Sequence, residues 1–310
     1  MSSGPARKRL QMRLRIIGGK APHARGSLGT RCRPEHLIVL GAGYVGLEFA
    51  QAMRRFGSKV SVVDRNDRPL HREDEDVADG LRSLFEDEEI KLALNSKVQR
   101  VSGTSGEPVR LSLLRAGVEE TIEGSHLLVT GKRPPNTKNI GLELAGVELT
   151  QHGYIKVNER LETTAASAWA VGEVSNSPHF TQISEEDFRV VRDNILGGDR
   201  VTTGRQVPFC PFTDPEFARI GLSETEAKKQ GVPYRLFKVP MAVVLRARSL
   251  IETRGFLKCL VERGSDRILG FAVFGGGAGE IMGFFMKGTL HEEITRTCVL
   301  HCQWSSAEPV

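Results

Sequence analysis

Three glycines, Gly41, Gly43 and Gly46, stand at G-x-G-x-x-G spacing inside the stretch LIVLGAGYVGLEFAQ, residues 37–51. That pattern serves one kind of chemistry. The first glycine permits a tight turn, the second lets a diphosphate approach the backbone, and the third lets a helix pack closely on the preceding strand. The helix then offers unpaired N–H groups and the positive end of its dipole to phosphate oxygens. By itself the spacing is a weak signal. Here an apolar run, Leu37–Leu40, precedes it and a helical stripe follows. Asp64 ends a second strand about twenty residues on, where an acid accepts hydrogen bonds from ribose hydroxyls. The residues predict a dinucleotide site in which Asp64 favours NAD. Arg65 and Arg68 suit a 2′-phosphate, so NADP stays open.

Other candidate groups predict less. GGGAGE at 275–280 also follows a strand, but has the wrong spacing and no ribose acid, and reads as a connecting loop. The five cysteines, Cys32, Cys210, Cys259, Cys298 and Cys302, are odd in number and widely spaced, a reducing-compartment pattern. The expected location is cytoplasmic. Cys298 and Cys302 with His301 do not make two separated ligand pairs, so no metal site is expected.

The elements that must position these residues follow a simple order. Leu37–Leu40 reads as a strand buried on both faces, and Lys59–Val63 as a second strand. Between them lies a helix with a stripe of Val45, Phe49, Met53 and Phe56, ended by Gly57. A second helix over Glu73–Glu88 turns Val77, Leu81, Leu84 and Phe85 inward. Strands at 97–102, 108–114 and 118–122 form an antiparallel excursion, and Ser125–Thr130 returns to the sheet. Tyr154–Val157 and Ala168–Val171 read as short strands. Ser184 opens a helix with Phe188, Val191 and Ile195 on one face and Gly197 as its stop. Ser223 and Glu226 form a capping box, Gly231 ends that helix, and strands at 235–239, 256–262 and 267–274 follow. The pattern is a nucleotide-binding α/β domain followed by an α+β unit.

The net charge of +5 is uneven. Residues 1–34 hold nine Lys/Arg and no acid, leaving 34 basic residues against 38 acidic ones in the body. An acid-free, arginine-rich start resembles a transit peptide or a nucleic-acid or lipid contact. Gly18, Gly19, Pro22, Gly26 and Gly29 break any amphipathic helix there, so a segment without defined structure is expected and nucleic-acid binding is not. No apolar run reaches the roughly 18 residues of a membrane span, and no membrane partner is expected.

The stretch GAGYVGLEFA followed by VVDRNDRPLHREDEDVADGLRSLF resembles the class I pyridine nucleotide-disulfide oxidoreductases, which include glutathione reductase, dihydrolipoamide dehydrogenase and mercuric reductase. The likeness continues through VTGKRPPNT, LETTAASAWAVGEV, FTQISEEDFRVVRDNILGG, VPFCPFTDPEFARIGLSETEAKKQG and TRGFLKCLVERGSDRILGFAVFG. The mercuric-reductase-like branch fits best. The resemblance implies an oxidoreductase that passes hydride from NAD(P)H to FAD and then to an acceptor that the residues do not name. It implies that Gly41, Gly43, Gly46, Asp64 and Arg65 meet the dinucleotide, with Tyr44 covering the flavin edge and Glu48 near the nicotinamide. Gly131 begins the passage to the FAD-binding part, Gly172 and Glu173 match the motif at the ribityl chain, and Thr181 falls beside the flavin ring. His301 matches a histidine that serves the partner subunit's active site.

The implied architecture is a basic tail over 1–34, a Rossmann-like NAD(P)-binding domain over 35–135, the C-terminal part of an FAD-binding domain over 136–204, and an α+β dimerisation domain over 205–310. A homodimer is implied. Departures from the family pattern are a missing first glycine fingerprint, a missing C-x4-C pair, the extra residue in GKRPPNT, Glu173 in place of aspartate, and the ending HCQWSSAEPV. They predict a chain lacking the FAD-binding first half, poor flavin retention, and an FAD-domain fragment as a possible partner. The alternative is a non-catalytic NAD(H)-binding and dimerisation module.

Overall fold

The computed structural model describes residues 33–131 and 134–288, the last five for their backbone only. Most of the basic tail, Cys32, Cys298, His301 and Cys302 lie outside the described residues. The chain divides into two compact units, one made of residues up to Gly131 together with those from Pro208 onward, the other of Lys132–Val207.

The first unit begins with β1 (His36–Leu40), α1 (Tyr44–Arg55), β2 (Lys59–Val63), α2 (Glu75–Asp87) and β3 (Lys91–Ala93). An antiparallel meander follows, β4 (Ser96–Ser102), β5 (Val109–Arg115) and β6 (Val118–Gly124), and β7 (His126–Val129) returns to the first sheet. That sheet is parallel, in the order β3-β2-β1-β7. Its register pairs Leu40 with both Val63 and Val129, and Val63 with Ala93, so the strands end level at their carboxyl ends. Alternation along β1 places Leu37 and Val39 in one core with α1 and α2, while Ile38 joins the core under the meander with Leu111, Leu113 and Ile122. Both faces are therefore covered, as the unbroken apolar run requires.

The second unit holds short 3₁₀ turns at Glu143–Ala145 and Gly172–Ser175, and α3 (Thr181–Ile195). The chain then re-enters the first unit as β8 (Glu216–Gly221), α4 (Glu224–Gln230), β9 (Tyr234–Pro240), a 3₁₀ turn, α5 (Leu245–Leu250), β10 (Phe256–Glu262), β11 (Ile268–Gly275) and α6 (Ala278–Gly288). Its sheet is antiparallel, β8-β11-β10-β9. Phe217, Phe256, Ala272 and Phe274 share one core with Leu81 and Phe85 of α2, which joins the α+β part to the nucleotide-binding part.

Several elements lie where the periodicity places them. The inward face of α2 is Val77, Leu81, Leu84 and Phe85. The capping box of α4 is complete, with Glu226 N–H donating to Ser223 Oγ at 3.1 Å and Ser223 N–H to Glu226 Oε2 at 2.9 Å, and Gly231 closes the helix.

Other expectations are corrected. On α1 the fully buried residues are Gly46, Leu47, Ala50 and Gln51, with Phe49 and Met53 only partly buried and Phe56 69% exposed. α3 starts at Thr181, not Ser184, and its inward residues are Ile183, Asp187 and Val190; Phe188 and Ile195 are exposed. A buried aspartate, satisfied by hydrogen bonds, takes an inward position that the apolar stripe assigned elsewhere. Tyr154–Val157 and Ala168–Val171 form isolated bridges, not strands, because left-handed residues at Gly153, Leu161 and Ser167 interrupt the ladder. β3, β8 and α5 were not expected. In β8 the charged Arg219 breaks the apolar run EFARIG, although Phe217, Ala218 and Ile220 are buried on either side of it.

Candidate functional site

The parallel strands end level at their carboxyl ends, and the glycine turn sits there between β1 and α1. Gly41 has φ of +119°, a region that favours glycine, and its N–H donates to Val63 O at 2.8 Å. A Cβ on Gly46 would lie 1.9 Å from Gly41 O, so the helix start packs directly on the turn. At Gly43 an added Cβ meets nothing within 4 Å. The backbone here faces open space.

Gly43 is the N-cap of α1, and no side chain caps the helix. The N–H groups of a helix's first turn have no intrahelical acceptors and favour an anion in front of them. Asp64 follows β2 at the same level. Its Oδ2 accepts from Ala42 N–H at 2.7 Å, and its Oδ1 accepts from Asn66 N–H at 2.8 Å and Asn66 Nδ2 at 2.7 Å. The acid thus fixes the turn from the end of β2. Arg65 is exposed on the next residue. The open backbone at Gly43, the uncapped helix and the adjacent acid fit a dinucleotide.

Tyr44, the first residue of α1, donates from its hydroxyl to Glu73 Oε1 at 2.5 Å, and its ring centroid lies 6.1 Å from that of Phe209. Burial, and then the Glu73 carboxylate, push the phenol well above its ordinary range. One turn along, Glu48 Oε1 accepts from Phe212 N–H at 2.9 Å. Burial raises the Glu48 carboxyl, partly offset by that N–H. Cys210 is half-buried, and burial together with Glu216 and Glu48 pushes its thiol up to about 11, so it stays protonated at neutral pH. Gly131 is exposed at the end of the first unit.

In the second unit Gly172 is buried, and its N–H donates to Asp187 Oδ2 at 2.7 Å. Glu173 follows it in the 3₁₀ turn, and Thr181 is the exposed first residue of α3. Asp187 is wholly buried and paired with Arg205, whose Nη2 also donates to Ser177 Oγ at 3.3 Å. His301 lies outside the described residues.

The sequence analysis missed Glu73, Arg219, Asp187 and Arg205. None belongs to a short motif, and a lone charged residue carries no local signal of the distant partner that lets it be buried. Among the described residues no cluster of three or more His, Cys, Asp or Glu side chains could hold a metal ion, and no helix is long and apolar enough to cross a membrane.

A glycine turn at the carboxyl ends of a parallel sheet, an uncapped helix start and an acid one strand away are the features of a nucleotide-binding type of α/β fold. The chain belongs to the pyridine nucleotide-disulphide oxidoreductases. The model of that family matches residues 13–187, and the model of its dimerisation domain matches residues 207–306. The "Probable pyridine nucleotide-disulfide oxidoreductase RclA" of Escherichia coli (strain K12) is 37% identical over 79% of this chain and 55% of its own length. The mercuric reductase of Streptomyces lividans is 33% identical over 80% of this chain and 52% of its own. The solved HOCl-induced flavoprotein disulfide reductase RclA from Escherichia coli superposes with a TM-score of 0.77 at 33% identity, covering 85% of this chain and 60% of that one. The chain thus spans little more than half the length of these relatives. Members of the family are FAD-dependent flavoproteins that use NAD(P)H.

Proposed function

We propose that the turn Gly41–Gly46 holds the diphosphate of NAD(P)H, and that the whole protein passes hydride from the nicotinamide to FAD. The observation that carries this reading is the open backbone at Gly43, in front of an uncapped helix and beside Asp64. Asp64 accepts the ribose hydroxyls and favours NADH; Arg65 is the residue that would receive a 2′-phosphate. Tyr44 and Glu48 line the start of the same helix, where the nicotinamide end approaches. In the second unit the turn Gly172–Ser175, braced by Asp187, would meet the ribityl chain of FAD, and Thr181 the ring. FAD, when bound, takes the hydride as a two-electron acceptor. The chain's residues orient the nicotinamide carrier for that transfer. The dimerisation domain supports a homodimer.

The test is titration of the purified chain with NADH and NADPH, following nucleotide fluorescence, alongside an absorption spectrum for bound flavin. Saturable binding with NADH tighter than NADPH supports the reading. A folded protein that binds neither at millimolar concentration ends it. A colourless protein that binds NADH supports the alternative, a non-catalytic NAD(H)-binding module.

A further inference from the structure

Tyr44 immediately follows the open glycine of the turn, and its hydroxyl is the first link in a buried chain. Glu73, which accepts that hydroxyl, is 1% exposed and takes a second hydrogen bond from Arg219 Nε at 2.7 Å on Oε2. Arg219 is itself held on several sides. Its Nη1 donates to Gly221 O at 2.7 Å and Glu226 Oε2 at 2.8 Å, and its guanidinium lies 4.6 Å from the centre of the Phe209 ring that also packs on Tyr44. Arg219 comes from β8 of the α+β part, 146 residues after Glu73.

The tether adds a side-chain hold at the start of the helix. Two of the turn's residues before the helix are glycines, and no side chain caps α1. The turn's backbone is held by Gly41 N–H donating to Val63 O at 2.8 Å, Leu70 N–H to Ala42 O at 3.0 Å, Ala42 N–H to the Asp64 carboxylate at 2.7 Å, and Leu47 N–H to Gly43 O at 3.0 Å, the first bond of the helix. Beyond Gly43 the first side chain is Tyr44. A phenol bonded to a buried carboxylate is a charge-assisted hydrogen bond, stronger than a neutral one.

We propose that Glu73 and Arg219 are positioning residues of the dinucleotide site, acting through the Tyr44 hydroxyl to fix the first turn of α1 so that its N–H groups converge on the diphosphate. The proposal rests on the NAD(P)H reading given above. It makes the α+β part a component of the nucleotide site, and not solely a dimerisation module. Removing Arg219 leaves the Glu73 carboxylate buried without its cation, so the acid takes up a proton or turns away, and the charge-assisted bond to the phenol is lost.

The experiment is a double-mutant cycle on NADH affinity in the full chain: wild type, Tyr44→Phe, Glu73→Gln and the double variant, with thermal melts of each. Tyr44→Phe removes only the hydroxyl and leaves Glu73 paired with Arg219. It is expected to weaken NADH binding about five-fold, part of the worth of one charge-assisted hydrogen bond. Glu73→Gln is expected to do the same, and the double variant no more than either alone. Arg219→Lys, which keeps the charge, should recover part of the loss seen in Arg219→Met. If Tyr44→Phe binds NADH like the wild type, or the two losses multiply, the proposal is overturned and the buried pair is structural only. Should the charged variants fail to fold, Tyr44→Phe decides alone, helped by a spectroscopic check. The chain has three tyrosines, so the alkaline absorbance difference between wild type and Tyr44→Phe reports Tyr44 directly. Ionisation of that phenol at an ordinary tyrosine pH would overturn the tether. A wild type that binds no nucleotide brings down the underlying reading and the proposal with it; intact affinity without coupling brings down the proposal only.

Discussion

The ammonium of Lys258 lies 2.7 Å from Oδ2 of Asp74, across 184 residues of sequence. The same carboxylate accepts the N–H groups of Glu224 at 3.0 Å and Thr225 at 2.9 Å, so one aspartate at the start of α2 also caps α4. Asp76 and Glu224 complete the set around Lys258 at 2.8 and 3.3 Å. This cluster and the shared core join the nucleotide-binding and α+β parts.

Replacing Lys258 by Met should therefore destabilise the first unit by about 3–5 kcal/mol, because it leaves buried carboxylates without their cation. Urea unfolding followed by circular dichroism measures this. A loss below about 1 kcal/mol, the scale of a surface pair, would show that the cluster is solvated in solution.

Acid should undo the same cluster. Burial alone would raise the Asp74 carboxyl, but Lys258 together with the Thr225 and Glu224 donors outweighs it and holds the group far below the carboxylate range. Asp76 is lowered likewise, by Lys238 and Lys258 against burial. A folded value below the unfolded one, near about 3.9, gives stability that is present above that pH and lost as pH falls through the folded value. Unfolding free energy should fall from about pH 4 downward. Asp74→Asn should start lower at neutral pH and show a shallower acid slope. Equal slopes for the two proteins would remove Asp74 from the explanation.

Two glycine substitutions should separate binding from folding. Gly43 has φ of −85° with open space around it, so Gly43→Val should melt close to wild type while losing about ten-fold or more in NADH affinity, the scale of a 1–3 kcal/mol overpacking conflict with the diphosphate. Gly46→Ala forces a methyl against Gly41 O and should lower the melting temperature as well. Titration and melting of both variants check this; unchanged NADH affinity in Gly43→Val would move the diphosphate elsewhere.

In the second unit, Asp187→Ala should cost about 3–5 kcal/mol, since it strips Gly172 N–H of its acceptor and removes the carboxylate that neutralises Arg205. Asp187→Asn, which keeps one acceptor oxygen, should cost less. Limited proteolysis within residues 134–207 reads the difference, and equal cleavage of wild type and both variants would contradict it.

The nucleotide-binding half was legible because its signals are local. An apolar run, three glycines and an acid at fixed offsets specify a strand, a turn and a helix start with no help from the rest of the chain. The capping box Ser223–Glu226 and the inward face of α2 were legible for the same reason. Amphipathic reading failed where polar residues go inward. On α3, Asp187 occupies a buried position because Gly172 and Arg205 satisfy it, and Phe188 is left outside. On α1 the short side chain of Ala50 and the amide of Gln51, bonded to Glu88 and Asp214, displace the bulkier stripe.

By itself, then, the sequence determined the family and the glycine turn with its acid, since both depend on residue type at fixed spacing along one segment. Only the tertiary structure decided what holds the turn. Glu73 meets Arg219, and Asp74 meets Lys258, because the α+β sheet packs on α2; charged residues so far apart in sequence carry no periodicity that would pair them beforehand. Their burial is tolerable solely in each other's presence, and that is a property of the assembled core.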